Sequence, residues 1–211
     1  MRRRSRRSGT TPQGAGRYPD FDVLAPEVVE TWDAPTRRAV LARLRPAAEL
    51  RFFGREEAET ARALCDLLLD QRSEPRVPVV ELLDAKYAEG RLDGYRYAGM
   101  PDDRDAWHLL LKGLDHTARR RHGRRRFHQL SPEQQQAICR DFQSGVLEGG
   151  PWRQLDVGRA WSLALRTAVA EFYSHPWAWN EIGFGGPAYP RGFMRTGEHG
   201  SREPFERPER R

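Results

Sequence analysis

The sequence is poor in cysteine and has no long apolar run, and each shortage excludes a class of protein. Only Cys65 and Cys139 occur among the 211 residues, too few for the disulfide framework of a small secreted domain. Both lie in apolar helical patterns, where a free thiol packs as a small hydrophobic group. No apolar run reaches the roughly 18–20 residues that a membrane-spanning helix needs. The sequence therefore predicts packing roles for both cysteines and no membrane span.

Short motifs for nucleotide or metal binding are missing as well. The chain has no Gly-x-Gly-x-x-Gly turn after a strand, no Walker loop, no Cys-x-x-Cys pair and no His-Glu-x-x-His helix, the patterns that mark such sites. His116, His122 and His128 recur every six residues within a basic run. That spacing places His116 and His122 on different faces of a helix, so we expect solvated histidines and not a metal site.

His175 and Glu181 are the candidate acid–base groups of the sequence. A histidine at the end of a helix most often hydrogen-bonds a backbone carbonyl, which is the role expected for His175, and Glu181 would pair with Arg191 or Arg195. No nucleophile or cofactor motif accompanies these residues. A small autonomous enzyme built on His175 and Glu181 is therefore the weakest hypothesis, and we expect no catalytic, cofactor-binding or metal-binding residue in this chain.

The charge is positive and clustered. The chain has 36 Lys and Arg against 30 Asp and Glu, a net charge of +6. Two arginine runs carry much of the excess: Arg2, Arg3, Arg4, Arg6 and Arg7, and then Arg119, Arg120, Arg121, Arg124, Arg125 and Arg126. Such runs contact phosphates in nucleic-acid-binding proteins. A basic helical module that binds nucleic acid is therefore the alternative function, although Phe127 is the only aromatic residue beside the second run and a stacking platform needs several.

Composition divides the chain into a body and two tails. Residues 1–17 are rich in Arg, Gly, Ser and Thr and residues 197–211 are charged, so we expect a disordered tail and a flexible tail around one helical domain at 18–196. Ser5-Arg6-Arg7 is similar to the start of a twin-arginine export signal, but no apolar segment follows. The expected location is therefore cytoplasmic by default, or periplasmic if a partner carries the chain across the membrane.

Apolar periodicity predicts helices throughout the body and no strand, so the predicted fold class is all-α. The pattern of apolar residues at i, i+3 and i+4 predicts helices at Thr36–Leu44, Arg55–Gln71, Val79–Ala88, Asp103–Arg121 and around Trp161–Phe172. Ser131-Pro132-Glu133-Gln134 predicts a further helix start, with Ser131 as the N-cap of a capping box. Val146 is among the residues predicted to face the core.

The stretch from Phe172 to Phe193 is the most distinctive part of the chain. It is dense in aromatic residues, glycine and proline. We expect an extended, rigid segment, because proline interrupts helices and glycine permits turns. Its aromatic side chains each stabilise by roughly 1.5–3 kcal/mol when buried. Such a segment either holds its own domain together or docks on a partner.

Three segments resemble the gluconate 2-dehydrogenase subunit 3 family. Tyr173–Phe193, which reads YSHPWAWNEIGFGGPAYPRGF, is similar to the family's C-terminal signature. Phe52–Asp70 is similar to the family's opening helix, and Phe127–Gln134 to the start of its middle helix. The resemblance covers roughly Phe52 to Phe193.

The resemblance implies a small, non-catalytic subunit that pairs with a large flavoprotein dehydrogenase of the glucose-methanol-choline class. In such complexes the large subunit holds FAD and oxidises a sugar, sugar acid or alcohol, in some cases with a cytochrome subunit as electron acceptor. The small subunit stabilises the large one or helps it to mature. We expect the partner interface in the aromatic segment, at Tyr173, His175, Trp177, Trp179, Glu181, Phe184, Tyr189 and Arg191.

Overall fold

A computed structural model describes residues 21–46, 49–71, 74–94, 97–190 and 192. The predicted tails at 1–17 and 197–211 lie outside these residues. All regular structure in the described part is helical, and no strand occurs there, so the all-α prediction is confirmed. The α-helices of this part are α1 (Pro26–Val29), α2 (Ala34–Ala42), α3 (Arg55–Leu68), α4 (Val79–Ala88), α5 (Asp103–His122), α6 (Pro132–Gln143), α7 (Val157–Ser174) and α8 (Pro176–Ile182). Short 3₁₀ helices occur at Phe127–Gln129 and Gly150–Gln154.

The chain divides into two compact units. Among the described residues, the first unit comprises 21–46, 74–77, 172–190 and 192, and the second comprises 49–71, 78–94 and 97–171. The first unit thus combines segments from both ends of the chain, whereas the second is built mainly from α3 to α7. The assignment of 18–196 to one domain stays a prediction.

Local capping rules set several helix boundaries. α4 has the predicted bounds, and α6 begins as predicted, with the Ser131 hydroxyl accepting a hydrogen bond from the N–H of Gln134. α2 begins two residues earlier than predicted, because the Asp33 carboxylate accepts a hydrogen bond from the N–H of Thr36 at 2.9 Å. The Ser131 cap of α6 is thus confirmed, whereas the Asp33 cap of α2 was missed.

One core prediction is wrong. Val146 is 62% exposed. α6 ends at Gln143, so Val146 lies in the following loop, where the helical period that suggested its burial no longer applies.

α5 is the central helix of the second unit. It contacts α3, α6 and both 3₁₀ helices. A Cβ atom at Gly113, in the middle of α5, would lie 2.5 Å from Cε2 of Trp152. The Trp152 indole N–H donates to the hydroxyl of Thr117, one turn further along α5, at 3.0 Å. Glycine at position 113 therefore lets a large ring pack directly on the helix backbone.

A buried carboxylate fixes the loop before α3. Asp84 on α4 accepts hydrogen bonds from three consecutive backbone N–H groups, those of Arg51, Phe52 and Phe53, at 2.8, 2.9 and 2.8 Å. Three donors compensate the cost of burying the carboxylate. This arrangement sets the chain direction at the point where α3 begins.

Part of the second arginine run serves the fold. Arg126 binds the buried carboxylate of Asp115 at 3.0 Å, and Asp115 also accepts from the backbone N–H of Phe127 at 3.1 Å. Arg121 binds Asp141 on α6 at 2.6 Å. Two of the six arginines are therefore engaged in contacts within the second unit. The other members of the run are exposed: Arg119, Arg120, Arg124 and Arg125.

Both cysteines are free and buried, as predicted. Burial raises the pKa of the Cys65 thiol and raises that of Cys139 to about 12. Neither thiol forms the reactive thiolate at neutral pH, so their roles in packing agree with their surroundings.

Candidate partner interface

The aromatic segment begins with a second helix, which corrects the expectation of extended chain throughout. α7 ends at Ser174, and α8 begins at Pro176. Proline is well suited to the first position of a helix, where its missing N–H costs no hydrogen bond. Gly183 adopts a left-handed conformation (φ 68°) that ends α8. Of the described part of the segment, only the stretch after Gly183 lacks helical structure, as was expected for the whole segment.

His175 caps the start of α8. Its Nδ1 atom accepts a hydrogen bond from the backbone N–H of Trp177 at 3.2 Å, and the two rings pack edge to face with centroids 5.0 Å apart. The side chain is fully buried. The prediction placed His175 at a helix end with a carbonyl partner; the position is right, but the ring accepts from an N–H group and does not donate to a carbonyl.

The environment of His175 keeps its ring neutral. Burial, with a smaller contribution from the nearby Arg43 guanidinium, lowers its pKa to about 4. Arg43 donates to the carbonyl of Ser174 at 2.8 Å, which holds the positive charge beside the cap. A general base that works near neutral pH needs a pKa closer to 7, so His175 is unsuited to that role.

Trp179 lies in the core of the first unit. It is 5% exposed and belongs to a cluster formed by Phe21, Val23, Val28, Trp32 and Val40. Its indole N–H donates to the carbonyl of Tyr173 at 2.7 Å, and its ring packs edge to face on Phe184 with centroids 5.4 Å apart. Trp179 therefore connects the end of α7, α8 and the following loop to the N-terminal helices.

Asn180 anchors the same helix through its amide. The side-chain oxygen accepts from the backbone N–H of Val23 at 2.7 Å, and the amide nitrogen donates to Asp22 at 3.4 Å. All three residues are buried. Because a buried backbone N–H needs an acceptor, Asn180 specifies where the chain near residue 22 meets α8.

Gly186 permits the closest approach in this unit. Its φ is +81°, and a Cβ at this position would lie 2.4 Å from Cζ2 of Trp32. Any other residue would be strained in the backbone and would collide with the indole ring. The loop after α8 is therefore held against the N-terminal helices, which explains one of the glycines in the segment.

Glu181 lies beside the two anchors and is partly buried. Burial raises the pKa of its carboxyl group, and one carboxylate oxygen is buried without a hydrogen-bond partner. The predicted pairing with Arg191 or Arg195 concerns residues outside the described part of the chain. The structure therefore supplies no partner by which to assign a role to Glu181.

The eight predicted interface residues fall into distinct groups by exposure. Tyr173, Phe184 and Tyr189 are 44%, 36% and 65% exposed. Trp177 and Glu181 are partly buried, whereas His175 and Trp179 are buried. Arg191 lies outside the described residues.

Sequence reasoning missed one exposed apolar residue in the same stretch. Ile182, on the last turn of α8, is 48% exposed. Its position directly before Gly183 was the available signal that a helix ends there, because glycine commonly follows the last residue of a helix. We use the name C-terminal apolar surface for the four exposed apolar residues of this stretch of the sequence: Tyr173, Ile182, Phe184 and Tyr189.

Grouped metal ligands and membrane-spanning helices are both absent from the part of the chain that the structure describes. Within the ranges that the model describes, no three His, Cys, Asp or Glu side chains are grouped so that they could hold a metal ion. His122 and His128 have polar neighbours at 3.3 Å, the side chains of Gln134 and Thr60. Among the helices in those ranges, none is both long and apolar enough to cross a membrane.

The fold and this segment define an all-α protein in which some residues of the C-terminal segment are buried in the core and others are apolar and exposed. The family model for gluconate 2-dehydrogenase subunit 3 matches residues 55–186, well over half of the chain. The protein therefore belongs to the gluconate 2-dehydrogenase subunit 3 family, and the resemblance found in the sequence is confirmed. The matched region runs from the first residue of α3 to Gly186. Neither the curated proteins nor the solved structures gave a match.

Proposed function

We propose that this protein is a non-catalytic small subunit of a dehydrogenase complex, which binds a large FAD-dependent subunit of the glucose-methanol-choline type and stabilises it or helps it to mature. Family membership supports the subunit role. The observation that carries the proposal is the C-terminal apolar surface, because it exposes two tyrosines, a phenylalanine and an isoleucine within the family's signature segment.

Contacts with neighbouring segments hold the backbone of the C-terminal apolar surface in place. Trp179, Asn180 and Gly186 fix the backbone around it through their contacts with the N-terminal helices and the chain before them. Exposed aromatic side chains on a fixed backbone lose little conformational entropy on binding, and tyrosine is enriched among the residues that dominate interface energies. Contiguous exposed apolar patches mark protein-binding sites, and four large exposed apolar side chains within one short segment are candidates for such a patch.

The division of labour in the proposed complex places the chemistry in the partner. FAD and the substrate, a sugar, sugar acid or alcohol, would be bound by the large subunit, and a cytochrome subunit is a further candidate member. His175 is buried with a low pKa, which agrees with a structural role in this chain. The location of the complex would follow from the export route of its partner.

Recovery of the tagged protein from its native host tests the proposal. The eluate is analysed by flavin absorbance and by mass spectrometry. We expect an FAD-containing dehydrogenase in stoichiometric amount. Recovery of the chain alone, or with nucleic acid bound to the exposed arginines, would contradict the proposal. A parallel purification in high salt separates the two contradicting outcomes, since phosphate contacts weaken steeply with salt.

A further inference from the structure

A small cavity in the second unit lies between α5, α7 and the loop that precedes α5. Its volume is about 100 Å³. Met100, Pro101 and Leu163 form its apolar wall, and Asp103 and Arg166 supply charged groups. The C-terminal apolar surface belongs to the first unit, so binding of a ligand in this cavity would be independent of the proposed function.

Asp103 presents an unused carboxylate oxygen to this cavity. Its side chain is 10% exposed, and its buried Oδ2 atom accepts no hydrogen bond from any residue that the structure describes. Asp103 is not needed to cap α5, because Asp102 accepts the hydrogen bonds from the N–H groups of Arg104 and Asp105. A buried carboxylate oxygen without a donor is costly, so Asp103 is poised to accept a hydrogen bond from a bound molecule.

Arg166 lies too far from this oxygen for a direct hydrogen bond but close enough for one atom, placed to the side of both groups, to contact each of them. Its Nη1 atom binds Asp93 at 2.9 Å, while its Nη2 atom lies 3.9 Å from Asp103 Oδ2. A direct hydrogen bond requires about 2.7–3.2 Å. A single oxygen atom placed beside both groups would form two bonds of ordinary length.

The required oxygen has to accept from Arg166 and donate to Asp103. A hydroxyl group does both, since it carries one donor and two lone pairs. An ammonium group has no lone pair with which to accept from the guanidinium, and an ionised carboxylate has no proton to donate to Asp103. Asp103 and Arg166 together therefore favour a neutral hydroxyl group over an ammonium group or an ionised carboxylate.

The rest of the cavity suits the carbon skeleton of a hydroxylated molecule. Tyr97 is 48% exposed at its edge. Arg159 lies over the Tyr97 ring at 4.8 Å and donates to the carbonyl of Ala98 at 2.8 Å, which holds this edge in place. We propose that the cavity binds a small neutral polyol, with one hydroxyl bridging Asp103 Oδ2 and Arg166 Nη2.

Titration of the full chain with erythritol, followed by two-dimensional amide NMR, tests the proposal. We expect saturable shifts at Asp103 and at neighbouring amides of α7. Asp103→Asn should weaken binding by about tenfold or more, because it replaces a charged acceptor. Asp105→Asn is the matched control: it removes the same charge from an exposed residue of the same helix turn, and it should bind as the wild type does.

Arg166→Leu is the second test variant and covers the case in which Asp103→Asn unfolds. It should also weaken erythritol binding while leaving the helical circular-dichroism spectrum unchanged. Three results would overturn the proposal. The first is that the shifts never saturate, which would mean that only water occupies the cavity. The second is that the wild type and both test variants bind erythritol equally. The third is that ethylammonium binds saturably at the same amides.

Discussion

The backbone N–H of Val23 donates to the side-chain oxygen of Asn180 at 2.7 Å, across 157 positions of the sequence. Asn180→Ala would leave this buried N–H without an acceptor, and we expect a loss of about 1–3 kcal/mol in the free energy of unfolding. Urea unfolding measures this loss. Ile182→Ala, on the exposed face of the same helix, is the control and should change the free energy little. Equal effects of the two substitutions would show that the Asn180 amide contributes nothing specific.

Trp179 and Tyr189 should differ sharply in their effect on stability. Trp179 is buried in the first unit, so we expect Trp179→Ala to cost about 3–5 kcal/mol through the cavity it leaves. Tyr189 is 65% exposed, and Tyr189→Ala should change the free energy of unfolding by less than about 0.5 kcal/mol. Thermal unfolding of both variants distinguishes them. A small effect of Trp179→Ala would contradict the assignment of this residue to the core.

Gly113→Ala should destabilise the protein although it lies within a helix. Alanine is favoured over glycine there by about 1 kcal/mol in helix propensity. The added methyl group would, however, lie 2.5 Å from the Trp152 ring, and such overpacking costs about 1–3 kcal/mol. The chemical denaturation midpoint should therefore fall.

The same substitution in a Trp152→Ala background provides the control. Removing the ring removes the collision, so Gly113→Ala should then be neutral or stabilising. The difference between the two backgrounds is the coupling energy between these positions. Equal effects in both backgrounds would refute the packing explanation for Gly113.

The burial of His175 should make stability depend on pH. Its folded-state pKa is about 4, below the ordinary value of 6.5. Between these values the unfolded chain binds a proton that the folded chain does not, so this contribution to stability falls as the pH decreases from 6.5 to 4. The difference between these two pKa values corresponds to a change of at most about 3 kcal/mol in the free energy of unfolding.

His175→Asn is the matching variant, because asparagine caps helices but does not titrate. Urea unfolding at pH 7.5, 6 and 4.5 should show that the wild type loses more stability than the variant as the pH decreases. Parallel curves for the two proteins would mean that His175 titrates alike in the folded and unfolded chains.

The sequence predicts the features of this fold that depend on neighbouring residues. α4 has its predicted bounds, and Ser131 caps α6 as predicted, because apolar periodicity and capping are local properties. Proline was expected to interrupt helices in the aromatic segment, and α7 does end two residues before Pro176. The role of Pro176 as the first residue of α8 was missed because the prolines and glycines of the segment suggested extended chain.

The sequence does not show which aromatic residues are core and which are exposed. Trp179 and Tyr189 have similar surroundings in the sequence, and the difference between them arises from contacts with the distant helices around Val28 and Trp32. Likewise, Arg125 and Arg126 are adjacent, but only Arg126 meets the buried Asp115. Such pairings become visible only when segments far apart in the chain are brought together.

The most direct test of the account is the affinity of the protein for its dehydrogenase partner after the C-terminal apolar surface is made polar. Phe184→Ser combined with Tyr189→Ser is compared with Leu92→Ser combined with Val146→Ser, a control pair of exposed apolar residues in the second unit. We expect the first pair to raise the dissociation constant by at least about tenfold, since interface aromatic residues often contribute 2 kcal/mol or more, and the control to leave it unchanged. Unchanged affinity in the first pair, with both proteins folded, would contradict the account.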